Sequence, residues 1–238
     1  MPEPDEAAAP LSLRAERLIR LAARRSNLLV AGAPALVLGD HALAAALRER
    51  LAGFGALPGD LAPPRFVFAL GAEPAARTAE RLAALAVPEP TPPPVVVLPP
   101  EECRASVQAL LASGWAQTEA RPGVLLLSRG PVRVALVPDA PLPAEARAAS
   151  GAARIAWARL FMPVTRGLAA ELGSSGLLAG RRIGVSLVLE PKTCVLALAL
   201  AEAGAEVAVF APENETDRDA AVALRDAGIP VFAATEAE

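Results

Sequence analysis

The stretch that decides the fold is RRIGVSLVLEPKTCVLALALAEAGAEVAVFAP, Arg181 to Pro212. RIGVSLVL is a short apolar run with the character of a strand, and EPKT follows as a tight turn. TCVLALALAEAG reads as an apolar helix stopped by Gly204, and EVAVFAP as a second strand. A strand, helix and strand in so short a span call for a parallel pair joined by a right-handed crossover. DRDAAVALRDAG and PVFA extend the run to βαβαβ, a flavodoxin- or Rossmann-like α/β unit.

In an open parallel sheet, ligands lie beyond the carboxyl ends of the strands, where turns feed into helix N-termini. Two such turns are visible: Glu190 to Thr193, and the loop PENETDRD after the second strand. Pro191 suits a first helical position, because its φ is preset and it has no N–H to satisfy. Lys192 is the only lysine of the chain and stands where the helix dipole favours anions. It reads as a solvated side chain, as a partner of Glu190, or as a holder of an anionic ligand.

Upstream, ARIAWARLFMPVTRGLAAELGSSG reads as two helical pieces around Pro163, which removes a donor and breaks or kinks the helix. Before it, residues 139–150 are rich in Pro and Ala without apolar period, and read as a linker. Residues 11–138 form an α/β region. Its first helix runs to Ser26, and NLLVAG and ALVLGD follow, either or both as strands. DHALAAALRERLAGFG is a helix with Asp40 as N-cap and Gly53 or Gly55 near its end. RFVFALG and Val95–Leu98 are further strands; the helix between them takes Pro74 in its first turn. PEECRASVQALLASG is a helix closed by Gly114. GWAQTEA, GVLLLSRG and PVRVALVPD then alternate with turns at RPG and RGP, giving an antiparallel ending. Residues 1–10, acidic and Pro-rich, read as a disordered lead, and 151–238 as the βαβαβ segment.

Composition narrows the chemistry. The chain has 238 residues and net charge −3, with 53% hydrophobic but only 3% aromatic residues and no tyrosine. Its core must be built from Ala, Leu and Val. The arginines of RLIRLAARR read as a solvated helix face or an anion or partner patch, and nothing reads as a nucleic-acid footprint. With His41 the only histidine and Cys103 and Cys194 the only cysteines, neither a histidine-based zinc site nor a Ser-His-Asp triad is expected. No apolar run reaches the ~20 residues of a membrane span and no signal peptide is visible, so a cytoplasmic protein is expected.

From Ala153 to Ala233 the sequence resembles the N-terminal part of S-adenosylhomocysteine hydrolase (adenosylhomocysteinase). The resemblance rests on Trp157, Met162-Pro163, Gly180, Arg182-Ile183, Leu187, Thr193, Val195-Leu196, Gly204-Ala205-Glu206-Val207 and Ala227 to Phe232. It implies ligand contacts at Val188, Glu190, Lys192, Thr193, Asn214 and Thr216. Yet Val188 stands where the family carries a histidine, Glu190 at its threonine and Lys192 at its glutamate. A carboxylate-to-ammonium exchange reverses the charge offered to a nucleoside's hydroxyls, and valine for histidine deletes a polar contact. The family's mechanism needs NAD on a separate Rossmann domain and acid and base residues further downstream. This sequence reaches Glu238 without them and has no G-x-G-x-x-G in a βα turn. The expectation is therefore a truncated, non-catalytic relative with no cofactor of its own and no catalytic residue assigned. It would bind a nucleoside-type small molecule or a partner protein in the methyl cycle, as a homo-oligomer or with a partner subunit.

Two other readings stand beside it. The chain could be a subunit of such a hydrolase completed by another chain. It could instead be a degenerate methyltransferase-like protein, since EECRASVQALLASGW and the following strands resemble the helix-plus-hairpin ending of class I methyltransferases, without their glycine-rich methyl-donor motif. In that first half, His41 reads as a strand-end ligand contact or as a cap or packed residue, and Trp115 as core.

Overall fold

The computed structural model describes residues 10–60, 62–70, 75–89, 91–140 and 150–234. It divides into two compact units, Met1–Arg147 and Ala148–Glu238. The lead expected over 1–10 (Pro10 apart), Pro74, and residues 141–149 of the expected linker lie outside the described residues.

In the first unit, α1 (Leu11–Ser26) exposes Arg17, Arg20 and Arg24 and buries Ala15, Leu18, Ile19 and Ala22 on one stripe, while the half-buried Arg25 donates to the Ala140 carbonyl at 2.6 Å. The helix stops at Asn27, whose φ of 56° is the left-handed C-cap geometry. That cap decides between the two candidate strands. NLLVAG is a loop with Leu29 84% exposed, and only Pro34–Leu38 forms a strand, β1. The helix α2 (Ala42–Gly53) corrects an expectation. Its N-cap is His41, whose Nδ1 accepts from the Ala44 N–H at 3.2 Å, and Asp40 stands one residue before the cap.

The sheet continues with β2 (Leu57–Pro58), β3 (Phe66–Ala69), β4 (Val87–Pro88), β5 (Val95–Leu98), β6 (Ala116–Arg121), β7 (Val124–Arg129) and β8 (Val132–Pro138). Their order is β2-β1-β3-β5-β8-β7-β6. The strands are parallel from β2 to β8, and β7 and β6 then close the sheet antiparallel. β4 pairs antiparallel with the start of β8. The two-residue strands β2 and β4 were not expected, being too short to show a period of two. Between the strands lie α3 (Ala75–Leu85) and α4 (Pro100–Ala112), the latter followed by Gly114 at φ 83° and the buried Trp115. Val67, Val96, Leu98, Val134 and Leu136 pack with Leu82, Cys103, Val107 and Leu110 of α3 and α4. The alternate residues Phe66, Phe68, Val95 and Val97, also fully buried, face the side where α1 packs on α2 and reaches β5. Both faces of this sheet are covered, as parallel strands require.

The second unit opens with α5 (Gly151–Leu160), capped by the Ser150 hydroxyl, and α6 (Pro163–Ser175). Pro163 is the first residue of α6, so it separates two helices and does not kink one. β9 (Arg182–Ser186), α7 (Pro191–Glu202), β10 (Glu206–Pro212), α8 (Arg218–Asp226) and β11 (Val231–Ala234) follow. The three strands are all parallel, in the order β11-β10-β9. Because the order is sequential, right-handed crossovers set α7 and α8 on the same face. α5 packs on both helices and α6 on α7, over a core of Val185, Val207, Val209, Val231, Leu189, Val195 and Leu224. The mixed α/β class and the parallel βαβαβ run are as the sequence indicates; β9 is shorter than expected, ending at Ser186 and leaving Leu187 and Val188 exposed.

Candidate functional site

The two expected turns meet at the carboxyl end of the second unit's sheet. Glu190 is the N-cap residue of α7, Pro191 its first residue, and Lys192 is exposed in the first turn. The second loop is a short 3-10 turn, Glu213–Glu215, leading to Asp217 at the N-cap of α8. Backbone bonds fasten one loop to the other: the Leu189 N–H donates to the Glu215 carbonyl at 2.9 Å, and the Asp217 N–H to the Leu189 carbonyl at 2.8 Å. Leu189, fully buried, anchors this bridge to the core.

All six sequence-derived candidates lie on these two loops, but their chemistry differs. The Thr193 hydroxyl donates to the Val188 carbonyl at 2.7 Å, and the Thr216 hydroxyl to the Pro212 carbonyl at 2.6 Å. Both threonines therefore brace their own turns. Val188 is 52% exposed and offers only an apolar surface. Glu190, Lys192 and Asn214 are exposed. The two helix starts are unlike. Asp217 caps α8 by accepting from the Ala220 N–H at 3.1 Å, whereas the Glu190 side chain makes no cap bond. The first-turn N–H groups of Lys192 and Thr193 thus have no capping side chain, at an end where the dipole is positive.

The pair that holds the loops was not among the expected site residues. Arg154 of α5 donates from Nη1 and Nη2 to the two carboxylate oxygens of Asp217 at 2.5 and 2.7 Å, and Nη2 approaches Asp219 at 3.5 Å. Burial alone would raise the Asp217 carboxyl. The Arg154 bonds and the Ala220 N–H outweigh it and hold the group below its ordinary value. An aspartate starting DRDAAVAL signals a cap, but nothing in the sequence marks Arg154, 63 positions earlier, as its partner.

Beneath the loops, Cys194 is fully buried with its Sγ 3.8 Å from the Ala220 carbonyl. Burial, assisted by Asp217, pushes its thiol up to about 12, and burial pushes Cys103 in the first unit up to about 11. At about pH 8 fewer than about one thiol in a hundred is then ionised at either site. A disulfide-exchange thiol reagent is expected to modify neither cysteine in the native chain and both in denaturant. Rapid native labelling of either would contradict this packing. Among the described residues no group of His, Cys, Asp or Glu is arranged to hold a metal ion, and no helix is long and apolar enough to cross a membrane.

In the first unit, Leu38, Gly39, Ala69, Thr78, Arg81 and Glu102 line a strand-end cavity of about 60 Å³, room for a few waters. His41 turns its ring back toward Gly39, and its Nε2 is buried without a partner.

Among curated proteins, the chain is 36% identical over 85 residues to the adenosylhomocysteinase of Thermotoga maritima, covering 35% of this chain and 21% of that one. Against the Gloeobacter violaceus adenosylhomocysteinase, identity is 41% over 88 residues, 36% of this chain and 21% of the relative. The chain is a divergent, partial match to adenosylhomocysteinases. The S-inosyl-L-homocysteine hydrolase of Methanococcus maripaludis is similar at 36% over 87 residues, with 36% and 21% covered. The chain spans 21% of the length of these relatives. No family model matches it.

Proposed function

We propose that this adenosylhomocysteinase-like chain is a non-catalytic binding protein of the methyl cycle, without a cofactor of its own, and that a nucleoside-type ligand bearing an anionic group binds at the end of β9. The uncapped start of α7 carries the reading: two first-turn N–H groups and the ammonium of Lys192 stand together at the carboxyl end of a parallel strand. Two features of the side chains support the non-catalytic reading. Val188 cannot transfer a proton, and the hydroxyls of Thr193 and Thr216 are engaged with backbone carbonyls.

Calorimetric titration with S-adenosylhomocysteine, S-inosylhomocysteine, adenosine and inosine tests this, both bases being included because the similar proteins act on both. Saturable binding of a homocysteine conjugate is expected, weakened at least about tenfold in Lys192→Glu with the melting temperature unchanged. Silence with every ligand would remove the proposal, and so would turnover of either conjugate by the purified chain.

A further inference from the structure

Among the described residues, no helix of the second unit lies on one face of its sheet. Along β9, β10 and β11 the residues alternate. Val185, Val207, Val209, Ala211 and Val231 are buried under the helices, whereas Arg182, Gly184, Ser186, Glu206, Phe210 and Phe232 are exposed. Phe210 and Phe232 stack on this open face with ring centroids 5.2 Å apart, though 45% and 55% exposed. Parallel sheets occur almost only with both faces covered, and adjacent exposed phenyl rings are a costly surface to leave in water.

The apolar patch and the charges of this face match themselves. The Phe210 ring of β10 leans over Gly184 of β9, its Cε2 3.5 Å from where a Cβ on that glycine would stand, so the apolar surface runs from Phe232 across to β9. The register pairs Gly184 with Ala208 and Ser186 with Phe210. At the other end of the strands Arg182 is level with Glu206, opposite charges on neighbouring strands. Among the described residues neither forms an ion pair.

We propose that this face is a homodimer interface, packed against the same face of a second copy about a two-fold axis that runs along the strands between β9 and β10. That axis lays β9 of each copy over β10 of the other. The Phe210 rings of the two copies, each leaning over its own β9, then meet across the axis, and Arg182 of each meets Glu206 of the other, giving two equivalent ion pairs. A two-fold contact must be self-complementary, and a face with an apolar patch at the axis and one charge of each sign to either side meets that condition. Its three-strand footprint is at the small end of interface sizes, so the dimer is expected to dissociate in the micromolar range. The proposal does not depend on the ligand reading above.

Sedimentation equilibrium of the full chain from about 1 μM to about 1 mM tests it, with far-UV circular dichroism as the fold control. The wild type is expected to self-associate to a dimer. Phe210→Asp, on an exposed position, should weaken that dimer at least about a hundredfold. Arg182→Glu and Glu206→Arg should each weaken it, and the double exchange should restore it, which a merely structural role for either residue would not produce. A wild type monomeric throughout this range overturns the proposal. A dimer indifferent to Phe210→Asp and to both single charge reversals, or one the double exchange leaves broken, overturns it equally.

Discussion

Gly151→Ala is expected to unfold the second unit or come close to it. Gly151 is buried at the first position of α5, with ordinary helical backbone; what makes it glycine is space. A Cβ built there would lie 1.9 Å from the carbonyl oxygen of Asp219 and 2.3 Å from its carbon, both backbone atoms of α8. No rotamer change relieves such contact, so α5 and α8 must separate, and α5 is the helix that covers both α7 and α8. Alanine gains at most about 1 kcal/mol of helix propensity. The overpacking is expected to cost more than about 3 kcal/mol, a large share of the 5–15 kcal/mol by which domains are stable. The reporter is Trp157, buried on α5 with its ring 4.8 Å from Phe161, read by fluorescence in a Trp115→Phe background during urea unfolding. Gly167→Ala, on α6 with nothing within 4 Å of the added carbon, is the control and should be neutral or slightly stabilising. Equal midpoints for the two variants would show that α5 does not seat on α8 this closely.

The parallel unit was legible because its signals are local. Gly204 and Gly228, at φ 98° and 87°, end helices where the sequence says they end, and the two-residue period of EVAVFAP fixes which side of β10 is buried. Pro163 and Pro191 both occupy first helical positions. NLLVAG was ambiguous because a short apolar run carries no length to distinguish strand from loop, and the left-handed turn at Asn27 decided it. His41 is the cap and Asp40 is not because α2 starts at Ala42, one residue later than expected, which brings the unprotonated Nδ1 of His41 within reach of the Ala44 N–H.

The candidate site was half legible. Sequence placed the six residues on strand-end turns, since a parallel strand must deliver its following loop there. It could not foresee that two of their hydroxyls turn inward to their own carbonyls, because this depends on loop geometry. Nor could it foresee the bare sheet face. Alternation along EVAVFAP shows that Phe210 opposes the buried valines, but whether a layer covers that side is decided by helices packed from elsewhere in the chain.

Breaking the Arg154–Asp217 pair is the other change expected to have a large effect. The two side chains are 19% and 24% exposed, so each charge is largely out of water and depends on its partner. Removing one member of such a pair leaves the other uncompensated, at about 3–5 kcal/mol when fully buried and rather less at this exposure. Asp217→Ala also deletes the α8 cap, about 1 kcal/mol more. A total near 3 kcal/mol is expected for Asp217→Ala and about 2 for Arg154→Met. The double variant should lose less than the sum, because neither charge is then stranded. Acid offers an independent check. Asp217 titrates lower in the folded chain than its ordinary 3.8, so its contribution is fully present above that value and is lost as pH falls through the depressed folded one. The Trp157 unfolding midpoint should therefore fall in wild type as pH is lowered below about 4, and more steeply than in Asp217→Asn, which has no carboxylate to protonate. Identical acid profiles for the two proteins would mean that Arg154 does not hold Asp217 ionised. The bridge from Leu189 to the second loop would then need another explanation for its position, since the backbone N–H that closes it belongs to Asp217 itself.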